Sequence, residues 1–106
     1  MAVLVLLAAG CSRNDVLLEI QPAQVSECDL PVAVQVTWDA SGRGLDLAQL
    51  EVHNPGRRPT LWIQNAAVGS AATGKWAMDG FTVTLRTREG RELARRSLTT
   101  TPCSEP

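Results

Sequence analysis

Residues 31–38, PVAVQVTW, decide the fold class, because their apolar side chains recur at every second position. One face of this segment carries Val32, Val34, Val36 and Trp38, and the other carries Ala33, Gln35 and Thr37. A period of two among β-branched residues is typical of a β-strand that buries one face. The segment is therefore predicted to be a strand whose valine face lies in the core.

Alternation of the same kind recurs on both sides of this segment. Further strands are predicted at residues 16–20, 47–53, 59–64, 81–87 and 92–99. The first is expected to be an edge strand, since Pro22 interrupts pairing soon after it. The predicted inward side chains are Ala48, Leu50 and Val52, then Leu61 and Ile63, then Phe81, Val83 and Leu85. Trp62 is accordingly expected to face solvent or a partner.

Turn signals separate these predicted strands. Residues 39–44, 54–56 and 88–90 each contain glycine within a short polar or proline-containing stretch. Residues 66–74 are small and carry no helical stripe, which indicates irregular chain or a short strand. Short strands with turns about every 8–12 residues predict an all-β, antiparallel β-sandwich of about seven strands.

The N-terminal stretch MAVLVLLAAG is uncharged and almost wholly apolar. It is shorter than the roughly 20 apolar residues that cross a bilayer as a helix, but it matches the apolar part of a secretory signal. Residues 7–11, LAAGC, resemble the lipobox of bacterial lipoproteins. Cys11 is therefore expected to be lipidated and to anchor the chain, as two or more acyl chains do. The alternative is a buried N-terminal strand or helix with a chance cysteine.

This interpretation divides the chain into four parts. Residues 1–10 form a lipoprotein signal peptide, 11–15 a lipidated tether, 16–103 the sandwich and 104–106 a tail. The expected location is the bacterial cell envelope. By resemblance to the sorting of enterobacterial lipoproteins, Ser12 after the expected lipidation site favours the outer membrane.

Two further cysteines, Cys28 and Cys103, flank the predicted strands. In an oxidising envelope a pair of this kind is predicted to form a disulfide. The alternative is a metal site with His53, but zinc ligands usually occur in pairs with two to four residues between them. No metal site is therefore expected.

Composition excludes several classes of function. Lys and Arg number 10 and Asp and Glu number 11, a net charge of −1, which argues against a nucleic-acid partner. The chain has one His, no recognisable nucleophile motif and no glycine-rich phosphate loop. A protein without enzymatic activity or a cofactor is therefore expected, although a pair of carboxylates at glycosidase separation remains open.

From residue 20 to 98 the chain resembles a group of small bacterial immunoglobulin-like domains. The resemblance is carried by Pro22, Val25, Cys28-Asp29, VQVTW ending at Trp38, LEV at 50–52, GSAATGKW at 69–76 and DGFTVTL at 79–85. It implies an immunoglobulin-like or fibronectin-III-like sandwich. Such domains occur as modules in extracellular and cell-associated proteins with mostly unknown ligands, so the resemblance supports fold more than function.

Physical reasons can be given for the most specific part of this resemblance, residues 69–80. Thr73-Gly74 is expected to form a turn with a positive φ at Gly74 and a Thr73 hydroxyl that caps an amide. Trp76 is expected to lie over the end of the sandwich with its indole N–H on a carbonyl. Asp79-Gly80 predicts a tight turn. The motif is either purely architectural or brings Trp76 to a ligand.

Binding residues are predicted beside the turn at 54–56. Trp62, Arg57 and Arg58 are residue types enriched in binding hot spots, and Trp76 is a further candidate. Alternatively, Trp62 packs internally or an arginine stacks on it. The chain is expected to be a lipid-anchored protein that binds another envelope protein.

Two alternatives to a protein partner of this kind remain at the level of sequence. One is a carbohydrate-binding module for cell-wall or surface glycan, with Trp62 or Trp76 as a stacking platform. Coplanar, exposed rings of these two residues with carboxylates nearby would favour it. The other is an inhibitor of a wall hydrolase, acting through the loop at Arg43 or at Arg57.

Overall fold

The computed structural model describes residues 16–103 and shows an all-β protein, as predicted. Its strands are β1 (Leu17–Gln21), β2 (Gln24–Ser26), β3 (Gln35–Asp39), β4 (Ala48–His53), β5 (Thr60–Asn65), β6 (Val68–Ala72), β7 (Thr82–Arg86), β8 (Glu92–Ser97) and β9 (Thr99–Thr101). Single 3-10 turns occur at Glu27–Asp29 and Ser41–Arg43. The predictions for the signal peptide, for Cys11 with its tether and for the tail lie outside the described residues.

Two antiparallel sheets form a sandwich. One has the strand order β1-β3-β6 and the other the order β5-β4-β7-β8. β1 lies at a sheet edge, as the proline after it predicts. No helical turn between Val16 and Cys103 is long and apolar enough to cross a bilayer.

Side chains from both sheets meet in one core. The residues predicted to point inward in and beside β3, β4 and β7 are buried, except Val32, which is half-buried. The buried ones are Val34, Val36, Trp38, Ala48, Leu50, Val52, Phe81, Val83 and Leu85. Leu18 and Ile20 of β1, with Leu98 between β8 and β9, complete the layer. Removing a side chain of this size from water stabilises a fold by about 1.5–3 kcal/mol, so this layer holds the two sheets together.

The strand predicted at residues 31–38 is shorter in the structure. Val32 forms only an isolated bridge with Ala77, and the regular ladder begins at Gln35. Between them, the amide of Val34 donates to the side-chain hydroxyl of Thr73 rather than to a backbone carbonyl. A side-chain acceptor therefore replaces the next position of the ladder with β6.

The prediction for β5 is wrong for Leu61 and Trp62 and right for Ile63. Leu61 is 50% exposed, whereas Trp62 and Ile63 are half-buried and pack against the core. The ladder with β4 contains a β-bulge, because Leu50 pairs with Ile63 but Glu51 pairs with Leu61. The extra residue in the bulge is Trp62, which breaks the period of two and brings neighbouring side chains to one face.

A short parallel pair, β2 with β9, is an addition to the predicted antiparallel sheets. β2 follows β1 and β9 follows β8, and β1 lies against β8 where the two sheets meet. The predicted Cys28–Cys103 disulfide is confirmed beside this pair, with the two Cα atoms 5.2 Å apart. The bond therefore joins the segment that follows β2 to the end of the described chain.

The strand directions define two ends of the sandwich. Leu17, the first residue of β1, pairs with Asp39, the last residue of β3. The loop to β4 and the turn between β7 and β8 lie at this same end, which we name the proximal end. The turn between β4 and β5 and the segment between β6 and β7 lie at the opposite, distal end.

Candidate functional site

The distal end begins with the turn at residues 54–57. The amide of Arg57 donates to the carbonyl of Asn54 at 3.0 Å, and Gly56 has a φ of 84°. Proline followed by a glycine with positive φ is the pattern of a type II turn, so the predicted turn is confirmed. It leaves Arg57 and Arg58 exposed at the entrance to β5.

The segment between β6 and β7 starts with Thr73, whose hydroxyl accepts from the buried amide of Val34 at 2.9 Å and donates to the carbonyl of Gly74 at 2.7 Å. The predicted capping by this hydroxyl is confirmed. The predicted positive φ at Gly74 is wrong, since the glycines with positive φ among the described residues are Gly44, Gly56, Gly80 and Gly90. A Cβ at Gly74 would instead lie 2.9 Å from Cδ1 of Trp76, so the missing side chain makes room for that ring.

Trp76 lies over the end of the core, as predicted. Its ring contacts Phe81 edge to face, with centroids 5.5 Å apart and an interplanar angle of 78°, and the residue is 40% exposed. The prediction that its indole N–H reaches a carbonyl is wrong for residues 16–103. The indole that makes such a bond is that of Trp38, which donates to the carbonyl of Ala66 at 3.1 Å.

Asn54 joins the two distal loops. Its side-chain amide donates to the carbonyl of Trp76, and its side-chain oxygen accepts from the amide of Met78, both at 2.9 Å. The predicted tight turn at Asp79-Gly80 follows, closed by the bond from the amide of Phe81 to the carbonyl of Met78 at 2.9 Å. Because both atoms of one side chain are used, Asn54 fixes the backbone that carries Trp76 beside the turn at 54–57.

A groove of about 780 Å³ lies between these loops and β5. All four binding candidates, Arg57, Arg58, Trp62 and Trp76, line it, together with His53, Val52 and Leu61. We name it the Trp–Arg groove. The sequence suggested Trp62, Arg57 and Arg58 together and Trp76 separately, and the tertiary structure brings Trp76 to the other three.

A second groove of about 630 Å³ lies on the other side of the turn at 54–57. It is lined by Pro31, Lys75, Met78 and Asp79, and it shares Asn54, Arg57 and Trp76 with the first. We name it the side groove. Trp76 therefore stands at the boundary between the two grooves.

Two arginines give the Trp–Arg groove a positive charge. Neither Arg57 nor Arg58 forms an ion pair within residues 16–103, whereas Arg86 pairs with Glu51 and Arg95 with Glu92. No Asp or Glu is among the described residues that line this groove. A guanidinium with unused N–H donors beside an aromatic ring can bind a carboxylate or phosphate and leaves the ring for an apolar contact.

His53, the last residue of β4, lies half-buried in the wall of the Trp–Arg groove. Its position at a strand end agrees with the sequence. It is far in the chain from the two disulfide cysteines, and within residues 16–103 no three His, Cys, Asp or Glu side chains are grouped so that they could hold a metal ion.

Sequence reasoning missed Asn54, Lys75 and Met78 as parts of this site. The dipeptide Asn54-Pro55 signals only a turn, and the partners of the Asn54 side chain are 22 and 24 residues away in the chain. Contacts across that separation have no periodic signal. Comparison of the chain with protein-family models, with curated proteins and with solved structures finds no significant match.

Proposed function

We propose that this chain is a non-enzymatic, lipid-anchored protein of the bacterial cell envelope. Its immunoglobulin-like domain would bind another envelope protein through the Trp–Arg groove. The observation that carries the proposal is the convergence of Arg57, Arg58, Trp62 and Trp76 on one groove. Tryptophan and arginine are the side chains most enriched at the energetic centres of protein interfaces.

The position of the groove supports a tethered binding domain. The strand that follows the tether, β1, starts at the proximal end, and the Trp–Arg groove lies at the distal end. If Cys11 carries lipid, the membrane is on the proximal side. The groove then faces away from the lipid and toward components of the envelope space.

A glycan ligand is less well supported by the same geometry. Sugar platforms present two or three exposed rings, but Trp62 is half-buried against the core and Trp76 is only 40% exposed. Among residues 16–103, no carboxylate that could accept from sugar hydroxyls lines this groove. A wall-hydrolase inhibitor is one form of protein partner, and the exposed turn with Arg57 would be its contact.

Membrane fractionation tests the anchor. We expect the Cys11→Ala variant to leave the membrane fraction after a salt wash, because the acyl chains would be lost. A variant that still pellets with membranes would show that the lipoprotein assignment is wrong.

Site-specific crosslinking in intact envelopes tests the partner. A photoreactive amino acid at Thr60, which is exposed and lines the groove, should give a crosslinked protein band, and the same amino acid at Arg88 of the proximal end should not. A band that disappears on digestion with a muramidase but resists protease would replace the protein partner with wall glycan. Equal crosslinking at both positions would contradict a groove-specific partner.

A further inference from the structure

The two distal grooves together form a longer surface with one exposed ring at its middle. Arg58 lines only the Trp–Arg groove, Lys75 lines only the side groove, and Arg57 lines both. Trp76 belongs to both grooves and is 40% exposed. A linear ligand that crosses this surface therefore meets a cation, then an aromatic face, then a second cation.

The cations on this surface are available for a ligand. Arg57, Arg58 and Lys75 form no ion pair within residues 16–103. The only acidic side chain among the described residues that line the two grooves is Asp79, in the side groove. The surface is thus positive although the whole chain has a net charge of −1, so charge complementarity favours an anionic ligand.

This surface also carries most of the large apolar side chains that are exposed among the described residues. Five large hydrophobic side chains are exposed among the described residues, Leu17, Leu61, Val68, Trp76 and Met78, and three of the five line these grooves. Leu61 is 50% exposed and Met78 is 42% exposed on either side of Trp76. Apolar side chains gathered at one site mark a surface that a partner covers. A phosphate has no apolar group to cover them, whereas an aliphatic or aromatic side chain of a peptide does.

We propose that the Trp–Arg groove and the side groove together bind an acidic, extended peptide segment of a partner protein. Carboxylates of the segment flank an apolar residue, which packs on Trp76, while the carboxylates pair with Arg58 and Arg57 on one side and with Lys75 on the other. Guanidinium–carboxylate pairs supply directional hydrogen bonds, and the apolar residue removes Trp76 from water. This inference rests on the proposed function and names the chemistry of its partner.

A binding assay with defined peptides tests the inference on the full mature chain in detergent micelles. One set of fluorescein-labelled, capped nonapeptides carries Glu on both sides of a variable apolar residue, and a matched set carries Gln in place of Glu. We expect the best Glu peptide to bind about tenfold or more tightly than its Gln counterpart by fluorescence anisotropy, which corresponds to about 1.4 kcal/mol.

Matched variants locate the site. Arg57→Glu with Arg58→Glu should weaken binding of the Glu peptide about tenfold or more, because two cations become anions. Arg88→Glu with Arg91→Glu changes the net charge equally at exposed positions of the proximal end and should leave binding within about twofold of the wild type. A circular dichroism spectrum of each variant checks that it is folded.

Several results would overturn the inference. They are equal binding of the Glu and Gln sets, no binding of any Glu peptide at millimolar concentration, or an equal effect of the two double variants. Tighter binding of hyaluronate oligosaccharides than of every peptide would replace the peptide with an anionic glycan. If envelope crosslinking at Thr60 captures a protein whose contacting segment is not acidic, the proposed function stands and this inference fails.

Discussion

At the scale of single residues, glycines of the GSAATGKW segment are explained by the rings they contact. A Cβ at Gly69 would lie 2.5 Å from Cζ2 of Trp38, and a Cβ at Gly74 would lie 2.9 Å from Cδ1 of Trp76. Cβ atoms essentially do not approach other atoms so closely, so any side chain at Gly69 forces the buried ring of Trp38 to move. These two glycines provide space for aromatic rings rather than unusual backbone angles.

Gly69→Ala should destabilise the protein by about 1–3 kcal/mol, because the added methyl overpacks the core against Trp38. Urea unfolding followed by tryptophan fluorescence measures this change. Ala72→Ser, at an exposed position of the same strand, is the control and should stay within about 0.5 kcal/mol of the wild type. Equal stability of Gly69→Ala and wild type would contradict the close contact.

Thr73→Val should cost about 1–3 kcal/mol although it preserves the shape of the side chain. The substitution leaves the amide of Val34 buried without the hydroxyl that now accepts from it at 2.9 Å. Thr73→Ser keeps the hydroxyl and removes one methyl group, so its cost should be no more than about 1 kcal/mol. Chemical denaturation should find the wild type most stable, Thr73→Ser next and Thr73→Val least stable. A Val variant as stable as the Ser variant would exclude the buried hydrogen bond.

At the scale of elements, the bulge in β5 decides which side chains reach the core. Strict alternation places Leu61 and Ile63 inward, but the register changes between Leu50 and Glu51 and brings Trp62 to the core side. The side chain of Trp62 therefore packs on the core with one part and lines the Trp–Arg groove with another. Its predicted role in binding and the alternative of internal packing are compatible.

Trp62→Ala and Leu61→Ala test the register of β5 directly. Trp62→Ala should lower the free energy of unfolding by about 2 kcal/mol, roughly half the cost of truncating a fully buried tryptophan. Leu61→Ala should change it by about 0.5 kcal/mol or less, since Leu61 is half exposed on the outer face. Thermal and urea unfolding of the two variants would show the reverse order if β5 alternated without a bulge.

Asn54 determines the position of the segment that carries Trp76. Asn54→Ala removes the bonds to the carbonyl of Trp76 and to the amide of Met78, so the amide of Met78 should exchange hydrogen about tenfold faster or more, which corresponds to about 1.4 kcal/mol. Asn54→Asp keeps an oxygen that accepts from the amide of Met78, so that amide should exchange more slowly in Asn54→Asp than in Asn54→Ala. Hydrogen exchange read by mass spectrometry or NMR makes the comparison.

Asn65→Ala is the control for this effect, because Asn65 lies at the other end of β5 and its side chain bonds only its neighbour Ala66 among the described residues. It should leave exchange at Met78 unchanged. Unchanged exchange in Asn54→Ala as well would show that the distal loops are held by other contacts.

At the scale of the whole molecule, the Cys28–Cys103 disulfide closes almost the entire described chain into one loop. The two cysteines are 75 residues apart, and the parallel pair of β2 and β9 lies next to them. A crosslink over so long a loop mainly reduces the conformational entropy of the unfolded chain. The bond therefore stabilises the sandwich as a whole rather than any one site.

Cys28→Ser with Cys103→Ser should lower the free energy of unfolding by about 4–5 kcal/mol, the chain-entropy value for a loop of this length. The substitutions are made in a Cys11→Ala background so that no other thiol can pair. Urea unfolding with and without reductant measures the effect, and reductant should lower the stability only of the chain that retains both cysteines. Quantitative thiol labelling of Cys28 and Cys103 in the untreated protein would contradict the disulfide.

The fold class and most of the core follow from local patterns along the chain. Alternation identifies the apolar core faces of β3, β4 and β7, because a strand points successive side chains to opposite faces wherever its ladder is regular. It does not show that Thr82 and Thr84, on the other face of β7, are buried as well. Glycine and proline mark the turns at 54–57 and 78–81, since these backbone angles exclude most other residues. The positions of Cys28 and Cys103 on either side of the predicted strands indicated the pair that is bonded.

The tertiary structure alone decided where regularity fails and what the loops bring together. Three features depend on partners 10 to 39 residues away in the chain: the bulge at Trp62, the Thr73 hydroxyl in place of a ladder bond, and the two hydrogen bonds of the Asn54 side chain. Such contacts leave no period in the sequence, because each is set by packing between elements. The Trp–Arg groove depends on such contacts. The sequence shows its tryptophans and arginines, but they line one groove only because the two distal loops pack against each other.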